Sequence, residues 1–325
     1  MPERLLPMLA TTAPLPGDDD HWAFEMKWDG VRALLAVSDG HITITSRRGN
    51  DVTDRYPELH GLTDALGATE AVLDGEIVAL DESGRPSFEL LQPRMHVGSP
   101  ATARQLANRA PVVCMLFDVL WLDGRSLLDV PYEERRARLD ELGLAAPSWQ
   151  VPPAHHGDGQ AVLEASRRLG LEGVVAKRLD SRYEPGRRSS AWRKVKVDRG
   201  QEFVVGGWLP GNGRLETHLG SLLVGYHDRT GALHYAGRVG SGIDEAGRAR
   251  LESLLATRRR EESPFVATPR LKGAVWVEPD LVVQVRFYEW TQAAILRHPR
   301  YEGLRDDVDP AAVVREPDPG IGAPG

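Results

Sequence analysis

Apolar and polar positions alternate along much of the first half of the chain. His21-Trp-Ala-Phe-Glu-Met26 reads as a strand with one face drier than the other. Residues 34–45 predict a hairpin, because two alternating runs meet at Asp39-Gly40, a dipeptide suited to positive φ. Residues 71–80 predict a further strand pair and residues 111–122 a buried strand. The period lengthens to a helical one over 131–142, with Gly143 as a stop, and again over about 160–169. Gly173 to Ala176 then opens another strand.

After residue 198 the character changes. Residues 202–242 read as short strands punctuated by Gly206-Gly207, Gly211-Asn-Gly213 and Gly240-Ser-Gly242. An amphipathic helix is predicted at about 244–257, followed by strands at 275–277 and 281–289. Short strands interrupted by one helix suggest a small Greek-key barrel of the OB type. From residue 309 proline and glycine dominate, which predicts a disordered tail over 309–325. The expected organisation is α+β: antiparallel sheets with helices over 1–198, then an OB-fold β-barrel over 199–308.

Composition changes this picture only slightly. A length of 325 residues suits two domains, each with its own core. The single cysteine, Cys114, excludes an internal disulfide and a cysteine zinc site, and it lies in an apolar run. The ten histidines have no ligand-like spacing. No signal peptide and no membrane-length apolar run is apparent, so a cytoplasmic, monomeric protein without membrane contact is expected.

Charge is more telling. The net charge is −7, yet residues 167–199 carry 11 basic and 4 acidic side chains. That stretch also holds Tyr183 and Trp192, a mixture suited to a phosphate-lined groove. Of forty lysines and arginines only five are lysine: Lys27, Lys177, Lys194, Lys196 and Lys272. An amine can shed its proton and attack; a guanidinium cannot. All but Lys272, which reads as a surface residue, fall in three strings: Glu25-Met-Lys-Trp-Asp-Gly-Val-Arg32, Glu172-Gly-Val-Val-Ala-Lys177 and Trp192-Arg-Lys-Val-Lys196. Three more stand with them: Ser46-Arg-Arg-Gly49, Leu73-Asp-Gly-Glu76 and Leu116-Phe-Asp118. Gly211-Asn-Gly213 lacks the lysine of a phosphate loop and reads as a turn.

In these six strings, in this order, the chain resembles the nucleotidyltransferase superfamily of ATP-dependent DNA ligases and capping enzymes. The likeness is strongest to the ligase module of bacterial non-homologous end-joining enzymes, and it runs from about residue 4 to about 307. It implies a DNA ligase that seals nicks with 5′-phosphate and 3′-hydroxyl ends through a lysyl-AMP intermediate, using ATP and Mg²⁺ or Mn²⁺. The resemblance makes Lys27 the nucleophile and places Lys194, Lys196 and Arg47 at phosphates. Glu25 would accept from the adenine amino group, Phe117 would stack on the base, and Arg32 and Glu76 would hold the ribose. Glu172 would carry the metal, with Glu76 a second candidate ligand. Lys177 is assigned to the nucleotide pocket, as wall or phosphate contact. Asp74 and Asp118 stay open between local hydrogen bonding and function. A lysine amine must first lose a proton whose free pKa is about 10.4, and neighbouring cations favour that loss.

In the second half, Arg286-Phe-Tyr-Glu-Trp-Thr291 and the string from Leu296 to Arg305 resemble the OB domain of the same ligases. Family members usually end that domain in Arg-x-Asp-Lys, whose basic ends orient pyrophosphate. Here the string is Arg305-Asp-Asp-Val308, without the lysine. Drift, compensation by Arg300 or Arg305, and a weakened first step are all open, and Val308→Lys is expected to speed adenylation. The implied partners are nicked duplex DNA and, in trans, Ku and an end-joining polymerase. Rival readings are RNA ligation or capping, which Glu25 disfavours for GTP, and a nick-binding module with crippled adenylation.

Overall fold

The structure, a computed structural model, describes residues 5–197, 200–211, 216, 218–267, 269 and 271–316. It divides into two compact units, the first ending at Val197 and the second taking up the described residues from 200 to 316. Asn212 and Gly213 of the glycine-rich string, and residues 317–325, lie outside the described residues.

The first unit is built on two sheets. One comprises β1 (Leu9–Thr12), β2 (Trp22–Lys27), the short strand His155–His156 and two later strands, β7 (Gly173–Arg178) and β8 (Arg188–Lys196). Their order is β1-β8-β7-β2 and then the short strand. The other sheet runs β4 (His41–Ser46), β3 (Val31–Ser38), β5 (Ala71–Ala79) and β6 (Val112–Leu122) with antiparallel neighbours, and β6 also takes the two-residue strands Arg125–Ser126, antiparallel, and Trp149–Gln150, parallel. The β3–β4 hairpin turns where expected, with positive φ at Asp39 and Gly40.

Alternation divides each sheet between core and site. On the first sheet, Trp22, Phe24, Val174, Ala176 and Val195 pack with Val162 and Leu163 of α5 (Gly159–Leu169). On the second, Ala33, Leu35, Leu73, Ile77 and Leu116 enter the largest core cluster. That leaves the opposite faces to carry polar chemistry, since side chains alternate strictly along a strand. Leu34, Val72 and Leu120 from one sheet meet Trp192 of the other, together with Met8 and Tyr183.

The strand pair expected over 71–80 is a single strand. Asp74-Gly75 does not turn, because β5 is hydrogen-bonded on both sides, to β3 and β6. Three helices went unpredicted: α1 (Leu62–Leu66), α2 (Phe88–Met95) and α3 (Pro100–Arg109). α2 contains Pro93, which spoils the propensity signal, and both α2 and α3 rely on serine caps, Ser87 and Ser99. α4 (Tyr132–Glu141) lies within the expected range, and Gly143 follows it at positive φ.

The second unit contains β9 (Gly200–Pro210), β10 (Leu219–His227), β11 (Leu233–Val239), α6 (Glu245–Ala256), β12 (Val275–Arg286) and β13 (Arg300–Leu304). Ser241, just past β11, bridges Arg300 of β13 in parallel. The order β9-β10-β11-β13-β12 therefore closes back on β9 as a five-stranded barrel. The two strands expected over 275–289 are one up to Arg286. The stretch expected to be disordered from 309 begins with an ordered segment. Asp309 caps a 3-10 turn at Pro310–Ala312, Val313 is buried, and Arg315 lies 4.6 Å over the Trp290 ring. Apolar side chains spaced among the prolines make that difference.

Candidate active site

Strand register places three of the six strings on one face. Lys27, Gly173 and Lys196 form one row across β2, β7 and β8; Glu25, Val175 and Lys194 form the next; Ala23, Lys177 and Trp192 the third. Glu172, immediately before β7, joins the first row. Its carboxylate accepts a hydrogen bond from Lys27 Nζ and lies 3.5 Å from Lys196 Nζ. Burial alone would raise the Glu172 carboxyl, but the charges of Lys27 and Lys196 outweigh it and hold it below its ordinary value. Lys194 adds to that field from the second row.

Glycines permit this closeness. A Cβ on Gly173, whose φ is 150°, would sit 2.0 Å from Val195 O, between the two lysine strands. A Cβ on Gly30 would meet Ile77 O at 2.2 Å, so the turn after Lys27 can lie against β5 only without a side chain.

The third row belongs elsewhere. Lys177 is 1% exposed and its Nζ is 2.9 Å from Glu25 Oε2, where it also donates to Phe117 O at 3.2 Å. It lies 4.4 Å from the ring centroids of both Phe117 and Trp192. Burial pushes its ammonium below the ordinary lysine value, against the pull of Glu25 and then Asp118. The other Glu25 oxygen accepts from the Tyr132 hydroxyl. The row of lysines thus has two ends, one ion-paired beside Glu172 and one enclosed by aromatic rings and a second carboxylate.

From the second sheet, Arg32 and Glu76 stand opposite each other on β3 and β5. Arg32 donates to Asp74 through Nε and through Nη2 at 2.6 Å, and Tyr183 donates to the same carboxylate at 2.5 Å. Asp118, directly across from Asp74 in the register, is held by Arg135 through two bonds of 2.8 Å. Both aspartates are fully buried, and each has its own arginine. Their local partners account for them, although Asp74 also fixes Arg32. Between Asp74 and Gly75 the register slips, leaving Phe117 as the extra residue on β6. Such a bulge re-aims a side chain. The ring lies 4.6 Å from the Arg32 guanidinium and edge-on to Trp192.

Arg47 lies in the turn that Ser46 and Asn50 close after β4. Glu76 and Glu172 are on different sheets, and no group of three metal-ligating side chains forms among the described residues. In the second unit Arg305 pairs with Asp307 through two bonds of 2.9 Å. Val308 is 3% exposed, packed with Val204, Val282, Phe265 and Val313. A lysine there would have to bring its ammonium out of an apolar cluster, so the gain expected from Val308→Lys does not follow. Cys114 is buried and free, as its apolar run implied. Tyr132 and Arg136, which reach Glu25 from α4, were missed; their four-residue spacing is visible in sequence, but nothing there points it at a residue over a hundred positions away.

A lysine-bearing face between two sheets, followed by a closed OB barrel, is the architecture of a covalent nucleotidyltransferase. The comparisons narrow that class. A family model for the ATP dependent DNA ligase domain matches residues 7–196, and one for the ATP dependent DNA ligase C terminal region matches residues 216–308. The multifunctional non-homologous end joining DNA repair protein LigD of Mycobacterium tuberculosis is 44% identical over 318 residues, covering 97% of this chain and 40% of its own length. The Pseudomonas aeruginosa LigD is 37% identical over 314 residues, covering 94% and 36%. A solved structure of mycobacterial DNA ligase D complexed with ATP and MES superposes with a TM-score of 0.67 at 43% identity, covering 96% of this chain and 98% of that one. The chain belongs to the ATP-dependent DNA ligase family. It spans about two fifths of the length of the LigD relatives it matches. No described helix is long and apolar enough to cross a membrane.

Proposed function

We propose that this ligase seals nicks by forming lysyl-AMP on Lys27. The observation that carries the reading is the row in which Lys27, Glu172 and Lys196 meet on one sheet face. Lys27 Nζ attacks the α-phosphorus of ATP; the N–P bond forms and pyrophosphate leaves. A DNA 5′-phosphate oxygen then takes the AMP and releases the amine, and the 3′-hydroxyl finally displaces AMP. The Glu172 carboxylate accepts a hydrogen bond from Nζ and so holds the amine in this row. Lys196 and Lys194 balance charge on the reacting phosphates, and Arg47 contacts the phosphate of AMP and later of DNA.

The base goes to the other end of the face. Glu25, an acceptor, and Lys177, a donor 2.9 Å away, match the amino group and ring nitrogen on the edge of adenine. Lys177 therefore serves the base and not a phosphate. Phe117 stacks on the base, Arg32 and Glu76 hold the ribose, and Arg305 orients pyrophosphate.

Glu172, with Glu76 as a second candidate, would hold a divalent ion, Mg²⁺ or Mn²⁺. The donor set fits an ion that arrives on nucleotide phosphates: hard carboxylate oxygens without a protein cage among the described residues. Bound there, the ion would offset phosphate charge.

Identity to the LigD proteins supports end joining as the pathway, with DNA breaks or nicks as substrate. Ku and an end-joining polymerase as partners, and a cytoplasmic, nucleoid-associated location, are part of the same proposal and rest on the family resemblance. Intact mass after incubation with ATP and metal, and again after adding nicked DNA, tests the chemistry. An AMP adduct discharged by the nick is expected. Absence of any adduct, on protein verified to start unadenylated, would overturn the lysyl-AMP reading.

A further inference from the structure

Glu25 is gripped from outside the two sheets as well as from within them. Tyr132 and Arg136 lie four apart on α4 and so share a face. The Tyr132 hydroxyl donates to Glu25 Oε1, and Arg136 Nη1 stands 3.6 Å from the same oxygen. Burial, reinforced by the Glu25 charge, keeps the Tyr132 phenol well above its ordinary value, so it remains a donor.

Arg136 is anchored at its other nitrogens. Nη2 donates to Pro152 O at 2.5 Å, and Nε to Asp140 at 3.1 Å. Its Nη1 makes no hydrogen bond, although the side chain is only 7% exposed. A buried donor without a partner is costly, and this one is aimed at the carboxylate. α4 itself cannot drift. Tyr132 N donates to Ser181 O at 2.8 Å, Glu133 N to Leu179 O at 3.0 Å, and Arg135 clamps Asp118. Lys177 occupies Oε2 from the other side.

We infer that Tyr132 and Arg136 are positioning residues that set base selectivity, by holding the Glu25 carboxylate as a fixed acceptor for a 6-amino purine. Donors on both oxygens leave Glu25 only acceptor capacity. A 6-oxo purine would then bring a second acceptor against it where adenine brings a donor, and its N1–H would meet the Lys177 donor where adenine brings an acceptor. The inference rests on the reading of Glu25 as the base contact.

The test compares lysyl-nucleotide formation by the full chain with ATP, with ITP (6-oxo) and with purine riboside triphosphate, which lacks the 6-substituent. Tyr132→Phe is expected to lower kcat/KM for ATP about tenfold, mainly through KM, as loss of one hydrogen bond to a charged group predicts. The ATP-to-ITP ratio should fall by the same factor, while purine riboside triphosphate is left within about twofold. Arg136→Gln should shift the ratio in the same direction, and it decides alone if Tyr132→Phe fails to fold. Equal losses on all three nucleotides would reduce α4 to a structural support and overturn the inference. So would an unchanged ratio in both variants while Glu25→Ala collapses it. If Glu25→Ala itself leaves the ratio unchanged, the base-contact reading has failed first.

Discussion

The two ends of the lysine face carry the same residue types and use them differently. At one end Lys27 and Glu172 are about one-fifth and one-seventh exposed, and a single carboxylate is shared between Lys27 and Lys196. At the other, Lys177, Glu25, Tyr132 and Arg136 are all buried, and Glu25 is held from two elements, β7 through Lys177 and α4 through Tyr132 and Arg136. A shared, partly wet ion pair can exchange partners at small cost, whereas a buried network loses heavily when one member goes. The first arrangement suits groups that must trade one phosphate for another. The second suits a group that must recognise one shape each time.

Substitutions at the two ends should therefore separate activity from stability. Lys27→Arg is expected to abolish the AMP adduct in intact mass, because guanidinium cannot be deprotonated, while changing unfolding free energy by less than about 1 kcal/mol. Robust adenylation of that variant would break the comparison at its exchanging end. Arg135→Ala should do the reverse. It strands the fully buried Asp118 carboxylate, so chemical denaturation should show a loss of about 3 to 5 kcal/mol. A loss below about 1 kcal/mol would mean the fixed end is not held as its geometry implies.

Val308→Lys extends the contrast to the second unit. Placing an ammonium in the cluster around Val308 should cost roughly 2 to 4 kcal/mol in denaturant melts without speeding adenylation. Faster adduct formation at unchanged stability would restore the leaving-group role for that position. The smallest effect concerns acid. The Glu172 carboxyl is lowered in the folded state, so its stabilising contribution is present above the ordinary carboxylate value and fades as pH falls toward the folded value. Glu172→Gln should flatten that acid limb of stability measured against pH. An unaltered limb would show that the Lys27 and Lys196 charges do not act on it.

How much of this was legible varied with the kind of signal. Apolar patterning located β2, β3, β4, β6 and the start of β7, and helical spacing located α4, with Gly143 as its stop, and α5. The Asp74-Gly75 pair misled, because a dipeptide that turns a hairpin can also run through a central strand when both edges are taken. Lys177 was assigned to the pocket, but between wall and phosphate the string from Glu172 to Lys177 cannot decide. Alternation places its lysine on the same face as Lys27, while register puts it two rows away.

By itself the sequence singled out the residues proposed to carry the chemistry. A chain that writes arginine nearly everywhere keeps lysine where an amine is needed, and period two puts Glu25, Lys27, Lys194 and Lys196 on common strand faces. Only the tertiary structure decided which of them meet. Lys27 and Glu172 are 145 positions apart, and Tyr132 and Glu25 are 107 apart. Pairing across such distances depends on sheet register and on where α4 docks. Those are set by the packing of whole faces, which no local string records.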